Sequence, residues 1–347
     1  MKTRDIIVVG ASAGGVTALI DFVKAFPSDF KGSIFVVLHI PPYSESRLAD
    51  ILSRASVLKA VSPQDGDHIE PGTIYVAVND HHLIIEKGKV RVKRGPKENR
   101  SRPSIDALFR SAAVAYDSRV IGVILSGVLN DGVAGLWAIK EQGGTTMIQR
   151  PQDAEQPQLP ENALEFVEPD YLASASDMAA LITGMVNEPA PERNKLSEEQ
   201  LKLLKAEVVI ATKDNAFEMG IMKMGELTPF TCPQCHGALV RLVEGKIIRF
   251  RCHTGHAYTA SSLLAEVSEV VESQLWQCMR GLEEMDMLFK NIADQYDDMK
   301  QSKAAKLFRS KSNESGKRAR VIHDEVFQQN QYSEDIRLNK YKKKKKQ

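Results

Sequence analysis

Net charge is nearly missing from this sequence: 46 Lys and Arg stand against 45 Asp and Glu, leaving +1 over 347 residues. That balance removes the broad positive field with which nucleic-acid binders gather phosphate, so no nucleic acid is expected as a partner. Long apolar runs are missing too. None approaches the roughly 20 residues that span a bilayer, and membrane contact is expected to be peripheral at most. The N-terminus is too polar, and too soon broken by Gly10, to read as a secretory signal. Cysteine is scarce, with four in the chain and three of them between Cys232 and Cys252. Such usage does not describe a disulfide framework, and the cytoplasm is the expected compartment. Internal repeats are absent. What is present is ordinary for a folded chain: 43% hydrophobic and 26% charged residues, enough for a real core.

Short apolar runs alternate with helix-like stretches up to about residue 186. Strands are expected at Ile6–Val9, Ser33–Leu38, Thr73–Val78, Val120–Leu125, Thr145–Ile148 and near Leu172. Several are apolar throughout, as strands buried on both faces of a parallel sheet must be. Helices are expected at Val16–Ala25 and Val133–Gln142, and Leu83–Gly95 reads as an antiparallel hairpin turning at Lys87–Gly88. The expected fold class is therefore α/β, a doubly wound and mostly parallel sheet. A proline- and charge-rich stretch at Asn187–Gln200 reads as a linker. The expected division is 1–186 for the α/β domain, 187–226 for a linker and helical connector, and 227–258 for a Cys/His module. A helical segment at 259–335 and a disordered basic tail at 336–347 complete it.

The stretch "IIVVGASAGG" (Ile6–Gly15) ends a strand at a glycine-rich turn. A dinucleotide fingerprint would put glycine where Ser12 stands, and an acidic residue at the end of the next strand, where His39 stands. The turn fits instead a G-x-S-x-G elbow, whose small residues let a serine hydroxyl project. Asp131 follows the Val120–Leu125 strand. All three residues thus fall at carboxyl ends of strands, the edge where open parallel sheets hold ligands. A serine needs a base to take its proton, imidazole titrates near neutral pH, and a carboxylate fixes the imidazole tautomer. Each also has a plainer reading: a phosphate turn, a structural histidine before Pro-Pro, and a helix cap.

The stretches "GASAGG", "LHIPP", "DGDHIEPGTIYVAVNDHHL", "NRSRPSIDALFRSAA", "GVILSGVLNDGVAG" and "QLPENAL" resemble, in order, the catalytic domain of the chemotaxis protein-glutamate methylesterases (CheB). The resemblance implies a serine esterase without a catalytic cofactor, with Ser12, His39 and Asp131 as its triad. It implies glutamate γ-methyl esters on the cytoplasmic helices of chemoreceptors as substrate, methanol as product, and glutamine deamidation as a further activity. Well-known members carry an N-terminal receiver domain, which is expected to be absent here. The family's G-M-G-N-D-G loop reads Gly127-Val128-Leu129-Asn130-Asp131-Gly132, and Leu129 in place of glycine restricts the backbone beside the oxyanion site. A non-catalytic adaptor on the same fold is the rival reading, and a Rossmann dehydrogenase a distant third. Arg100 and Arg102 either recognise acidic groups on a receptor or lie in a solvated loop. His81 and His82 read as structural or surface residues.

Cys232, Cys235, Cys252 and His256 have C-x₂-C-x₁₆-C-x₃-H spacing, which suits a closed tetrahedral zinc site in a ribbon-like module. His236 or His253 could replace His256, and similarity to standalone relatives favours His256. Cys278 reads as a packed thiol. Val271, Leu275, Cys278, Leu282, Met285, Phe289, Ile292, Tyr296 and Met299 form a heptad seam. Its partner is a second copy, a receptor helix, or this chain's own domains. Lys342–Lys346 is a solvated end or a weak contact for anionic lipid.

Overall fold

The computed structural model describes residues 3–40, 46–192, 196–213 and 216–329. Chain contacts divide the protein into two compact units, Met1–Ser262 and Leu263–Gln347. The first begins with β1 (Ile6–Ala11), α1 (Gly15–Val23), β2 (Ser33–Leu38), α2 (Leu48–Ala55), β3 (Lys59–Val61) and β4 (Thr73–Val76). A hairpin, β5 (His82–Glu86) and β6 (Lys89–Lys93), precedes α3 (Ile105–Tyr116). Then come β7 (Val120–Ile124), α4 (Val133–Glu141), β8 (Thr145–Gln149), α5 (Gln158–Phe166), β9 (Tyr171–Ala173) and α6 (Ala175–Met185).

Seven strands form one parallel sheet in the order β3-β4-β2-β1-β7-β8-β9. From β1 the chain builds β2, then the edge strand β3, then β4 between them, and returns to build β7, β8 and β9 on the other side. The order therefore reverses between β1 and β7, the switch point at whose carboxyl ends open α/β sheets hold ligands. Alternation along β1 explains why the whole strand is apolar. Ile7 and Val9 enter a core layer with Leu19, Phe22, Leu52 and Ile182, while Ile6 and Val8 enter another with Leu108, Phe109, Leu136 and Leu159. Each such side chain contributes about 1.5–3 kcal/mol on burial. Gly10 is required here, because a Cβ on it would lie 2.3 Å from Ile105 Cγ2. That close approach presses the start of α3 against β1.

The expected strands and the hairpin occur, with Gly88 turning the hairpin at φ 77°. The sequence reading omits β3, three residues with only Ala60 buried, too short to show a period. It also omits α3, although Ile105, Leu108, Phe109 and Ala112 recur at helical spacing along its buried face.

α7 (Glu198–Lys213) leads to a second, antiparallel sheet of β10 (Glu226–Thr231), β11 (Ala238–Glu244), β12 (Ile247–Cys252) and β13 (Ala257–Thr259). Ile210 of α7 packs with Val240 and Leu242 beneath it. The helical stretch that follows is two helices, α8 (Ala260–Asp298) and α9 (Ser302–Gln329), with Lys300 at φ 57° between them. They fold back on each other. Phe308 stacks on Tyr296 at 5.4 Å and meets Phe289 at 6.2 Å, while Trp276 meets Phe327 at 6.0 Å. Seam residues Phe289 and Tyr296 thus have a partner within this chain. Cys278 is exposed, which corrects its reading as a packed thiol. The basic run Lys342–Lys346 lies outside the described residues, and no described helix is long and apolar enough to cross a membrane.

Candidate active site

Ser12 follows β1 at a tight strand-to-helix turn. Its N–H donates to Ser126 O at 2.9 Å and its carbonyl accepts from Gly15 N at 2.8 Å. Gly14, at φ 69°, caps α1 in the left-handed region, where a side chain would be strained. The first N–H groups of α1 therefore open beside the serine, a ready site for negative charge. Ser126 braces the turn by donating its hydroxyl to Ala13 O at 2.9 Å and accepting from Gln156 N at 2.9 Å.

His39 is the first residue past β2, and its N–H donates to Ala11 O at 3.2 Å. Ala11 faces Leu38 in the last pair of the parallel ladder, so Ser12 and His39 each follow directly on one of these two residues. The His39 ring meets Asp131 at 2.8 Å, Nε2 to Oδ2. The structure thus brings His39 and Asp131 into contact and sets Ser12 beside them. Among the described residues, the Ser12 hydroxyl makes no hydrogen bond to His39. Nδ1 is the ring nitrogen left for it, and such contacts often close only when substrate binds.

Asp131 is 2% exposed and densely held. It accepts from Asn99 Nδ2 at 2.9 Å, Ser104 Oγ at 2.9 Å and Ile105 N at 2.7 Å. The last is an opening N–H of α3, so the carboxylate sits at the positive end of a helix dipole. Burial alone would raise its pKa. The hydrogen bond and charge of His39, with the Asn99 and Ile105 donors, outweigh burial and hold it below the ordinary carboxylate range.

Asn99 and Ser104 escaped the sequence reading, although both lie in the "NRSRPSID" stretch it singled out. The available signal was the N-cap pattern of Ser104 with Asp106 in the first turn. Arg102 is turned inward instead, donating to Asp80 Oδ1 and Gly95 O, each at 2.6 Å. That pairing removes it as a reader of acidic partners. His82 is fully buried, which lowers its pKa and keeps it neutral. Its Nε2 donates to Pro96 O at 2.8 Å and its Nδ1 accepts from Ser104 N at 3.2 Å. His81 contacts Asn79 O at 2.9 Å.

Leu129 adopts φ 61°, the conformation a glycine would take. A non-glycine residue there costs about 1–2 kcal/mol. Two α5 side chains hold it: Gln158 Oε1 accepts from Leu129 N at 3.1 Å, and Asn162 Nδ2 donates to Leu129 O at 2.6 Å.

A second constellation lies in the antiparallel sheet. The ligand atoms of Cys232, Cys235, Cys252 and His256 all fall within 4.8 Å of one another. Cys235 and Cys252 sulfurs are 3.6 Å apart, and His256 Nδ1 is 3.6 Å from both Cys232 and Cys252. Tetrahedral bonds of about 2.3 Å to sulfur and 2.0 Å to nitrogen would set these edges at roughly 3.5–3.8 Å. Soft donors at that spacing fit a zinc-like ion. His256 joins the set, while His236 and His253 do not.

Beside it lies a buried charge cluster that the sequence does not announce. Arg251 Nη2 donates to Glu98 at 2.8 Å and Glu207 at 2.6 Å; Arg249 Nη1 donates to Glu207 at 2.6 Å and Glu244 at 3.0 Å. Arg110 pairs with Glu98. Burial would raise the carboxyl pKa values, but the guanidinium charges win and depress Glu98 strongly and Glu207 to about 2.

Residues 7–182 match the family model described as CheB methylesterase. A Leptospira interrogans protein, provisionally named protein-glutamate methylesterase/protein-glutamine glutaminase, is 39% identical over 176 residues, covering 50% of this chain and 91% of that protein. A Methanosarcina mazei protein-glutamate methylesterase/protein-glutamine glutaminase is 37% identical over 151 residues, 41% of each chain. The crystal structure of the Thermotoga maritima CheB methylesterase catalytic domain superposes with a TM-score of 0.50 at 32% identity, covering 52% of this chain and 98% of that one.

Proposed function

As the chain belongs to the CheB methylesterase family, we propose that it hydrolyses glutamate γ-methyl esters in proteins, releasing methanol, with Ser12 as nucleophile. The observation that carries the reading is the 2.8 Å contact of His39 with a buried, ionised Asp131, where β2 ends beside the strand that leads into Ser12. Asp131 fixes the ring with Nδ1 toward the serine and stabilises the imidazolium. His39 takes the Ser12 proton as the hydroxyl attacks the ester carbonyl. The N–H groups opening α1 receive the charge that develops on oxygen, each such donor contributing on the order of 10²–10³ in rate. His39 then protonates departing methanol, and water hydrolyses the acyl-enzyme. No cofactor enters these steps.

The cytoplasmic helices of chemoreceptors are the proposed substrate, and glutamine deamidation, which the relatives' names carry, follows from the same acyl chemistry. The proposed compartment is the cytoplasm, with partners other than nucleic acid. Zinc is the proposed structural ion at Cys232, Cys235, Cys252 and His256, in a module of residues 227–258. The division into a catalytic 1–186, a connector at 187–226, helices at 259–335 and a basic tail is proposed with it. Methanol release from methylated receptor peptides is expected from the wild type and absent in Ser12→Ala. Equal release by that variant removes Ser12 from the chemistry. The adaptor reading, favoured by the open Ser12–His39 gap, expects no release from either protein.

A further inference from the structure

The Cys/His sheet does not end at its own edge. The free side of β13 pairs with the loop 97–99: Ala257 N donates to Lys97 O at 3.2 Å and Asn99 N donates to Ala257 O at 2.8 Å. This pairing holds Asn99 at φ 49°, a left-handed conformation that asparagine tolerates.

Every hydrogen-bonding group of the Asn99 side chain is then engaged. Its Nδ2 donates to Asp131 Oδ1 and to Asp106 Oδ2, each at 2.9 Å. Its Oδ1 accepts from Thr259 N at 2.9 Å and Ser262 Oγ at 3.0 Å. An amide turned over would aim oxygen at two carboxyl groups and nitrogen at two donors. The donors on 259–262 therefore decide which end of the amide faces Asp131. A second grip lies next to it: Thr259 Oγ1 donates to Asn130 Oδ1 at 2.7 Å, one residue before Asp131. Thr259 itself stands in the strand run that begins just after His256.

We propose that Asn99 is a positioning residue for the catalytic carboxylate, and that the end of the Cys/His sheet and the first turn of the helix after it supply, through Thr259 of β13 and Ser262 of α8, the donors that orient it. The esterase of this chain is then completed by a segment outside the 1–186 stretch that carries the triad. The proposal rests on Asp131 being the triad carboxylate. It makes the module part of the catalytic apparatus rather than an appended domain.

The test uses full-length Asn99→Ala, Ser262→Ala, Thr259→Val and Asn99→Ala/Ser262→Ala proteins with a glutamate γ-methyl ester peptide. Small displacements of a catalytic group cost up to about 10² in rate, so kcat is expected to fall on the order of 10-fold in the single variants. KM is expected to stay within about twofold, and the double variant to be no slower than Asn99→Ala, since both act through one amide. Unchanged kcat in Ser262→Ala and Thr259→Val, or additive losses with a raised KM, overturns the proposal. An independent readout needs no turnover: in a Ser12→Ala background, NMR exchange protection of the Asn99 side-chain amide should fall measurably on Ser262→Ala, which removes one of the two donors to Asn99 Oδ1 and leaves the Thr259 N–H. Unchanged protection also overturns it. Turnover surviving in Ser12→Ala alone strikes the function reading, and the amide measurement still decides the bridge.

Discussion

Asp131 carries most of the chemistry that a single residue can carry here, because its four neutral donors and one imidazole settle both its charge and its direction. Asp131→Asn should lower kcat by on the order of 10⁴, the loss expected when the imidazole is left in the wrong tautomer, with KM little changed. Steady-state kinetics on the ester peptide checks this. Asp106 behaves oppositely. Burial first, and then the charge of Asp131, push its carboxyl up to about 7. Unfolded, it would titrate near 3.9. Between about pH 4 and 7 the folded chain thus holds a proton that the unfolded chain has lost, so this group's contribution to stability declines as pH rises through that window. Asp106→Asn should flatten that decline, giving a more nearly constant unfolding free energy from pH 5 to 8 in urea titrations. A wild-type slope retained in the variant contradicts the assignment. Ser12, His39 and Asp131 were legible as candidates because each follows a strand whose apolar run is plain. Asn99 was not, since its partners lie 32, 160 and 163 positions away and no local pattern encodes that distance.

At the scale of elements, the turns around the site are set by backbone freedom, and the Cys/His sheet gathers four side chains that suit one ion. Leu129 occupies a glycine conformation with α5 holding both its N–H and its carbonyl, so Leu129→Gly should change kcat by less than about threefold, roughly 0.65 kcal/mol. A larger gain would mean that the leucine distorts the site. In the antiparallel sheet β10 is largely exposed, and the apolar core packed on β11 is small, with Ile210, Val240 and Leu242 in it. Removing a structural ion by a chelator should lower the melting temperature by about 10 °C, near 2–4 °C per kcal/mol for a unit of this size. Metal analysis of the reduced protein should show one zinc per chain beforehand. No zinc, or no shift, contradicts the ion. The cysteine spacing made this element readable in advance. The helical hairpin was readable only as amphipathic: a heptad seam states that one face will be covered, and it does not say by which helix.

At the scale of the whole first unit, Arg249 and Arg251 of β12 and Glu207 of α7 meet Glu98 and Arg110 of the parallel-sheet part in a fully buried cluster. Nothing in local sequence marks these residues, because lone charges in strands and helices usually face solvent. Glu207→Gln leaves guanidinium charge uncompensated and should destabilise the unit by about 3–5 kcal/mol. A loss under about 1 kcal/mol in chemical denaturation would show that the cluster is not closed to water. The same fusion joins the proposed catalytic residues, all before residue 140, to strands after residue 225.

Ser12 is proposed as a nucleophile primed by His39. Intact-protein and peptide mass spectrometry after reaction with a fluorophosphonate tests it most directly. A single adduct on Ser12, lost in His39→Ala while that variant keeps the wild-type melting temperature, is the predicted result. Absence of any adduct, or an adduct on another residue, contradicts it.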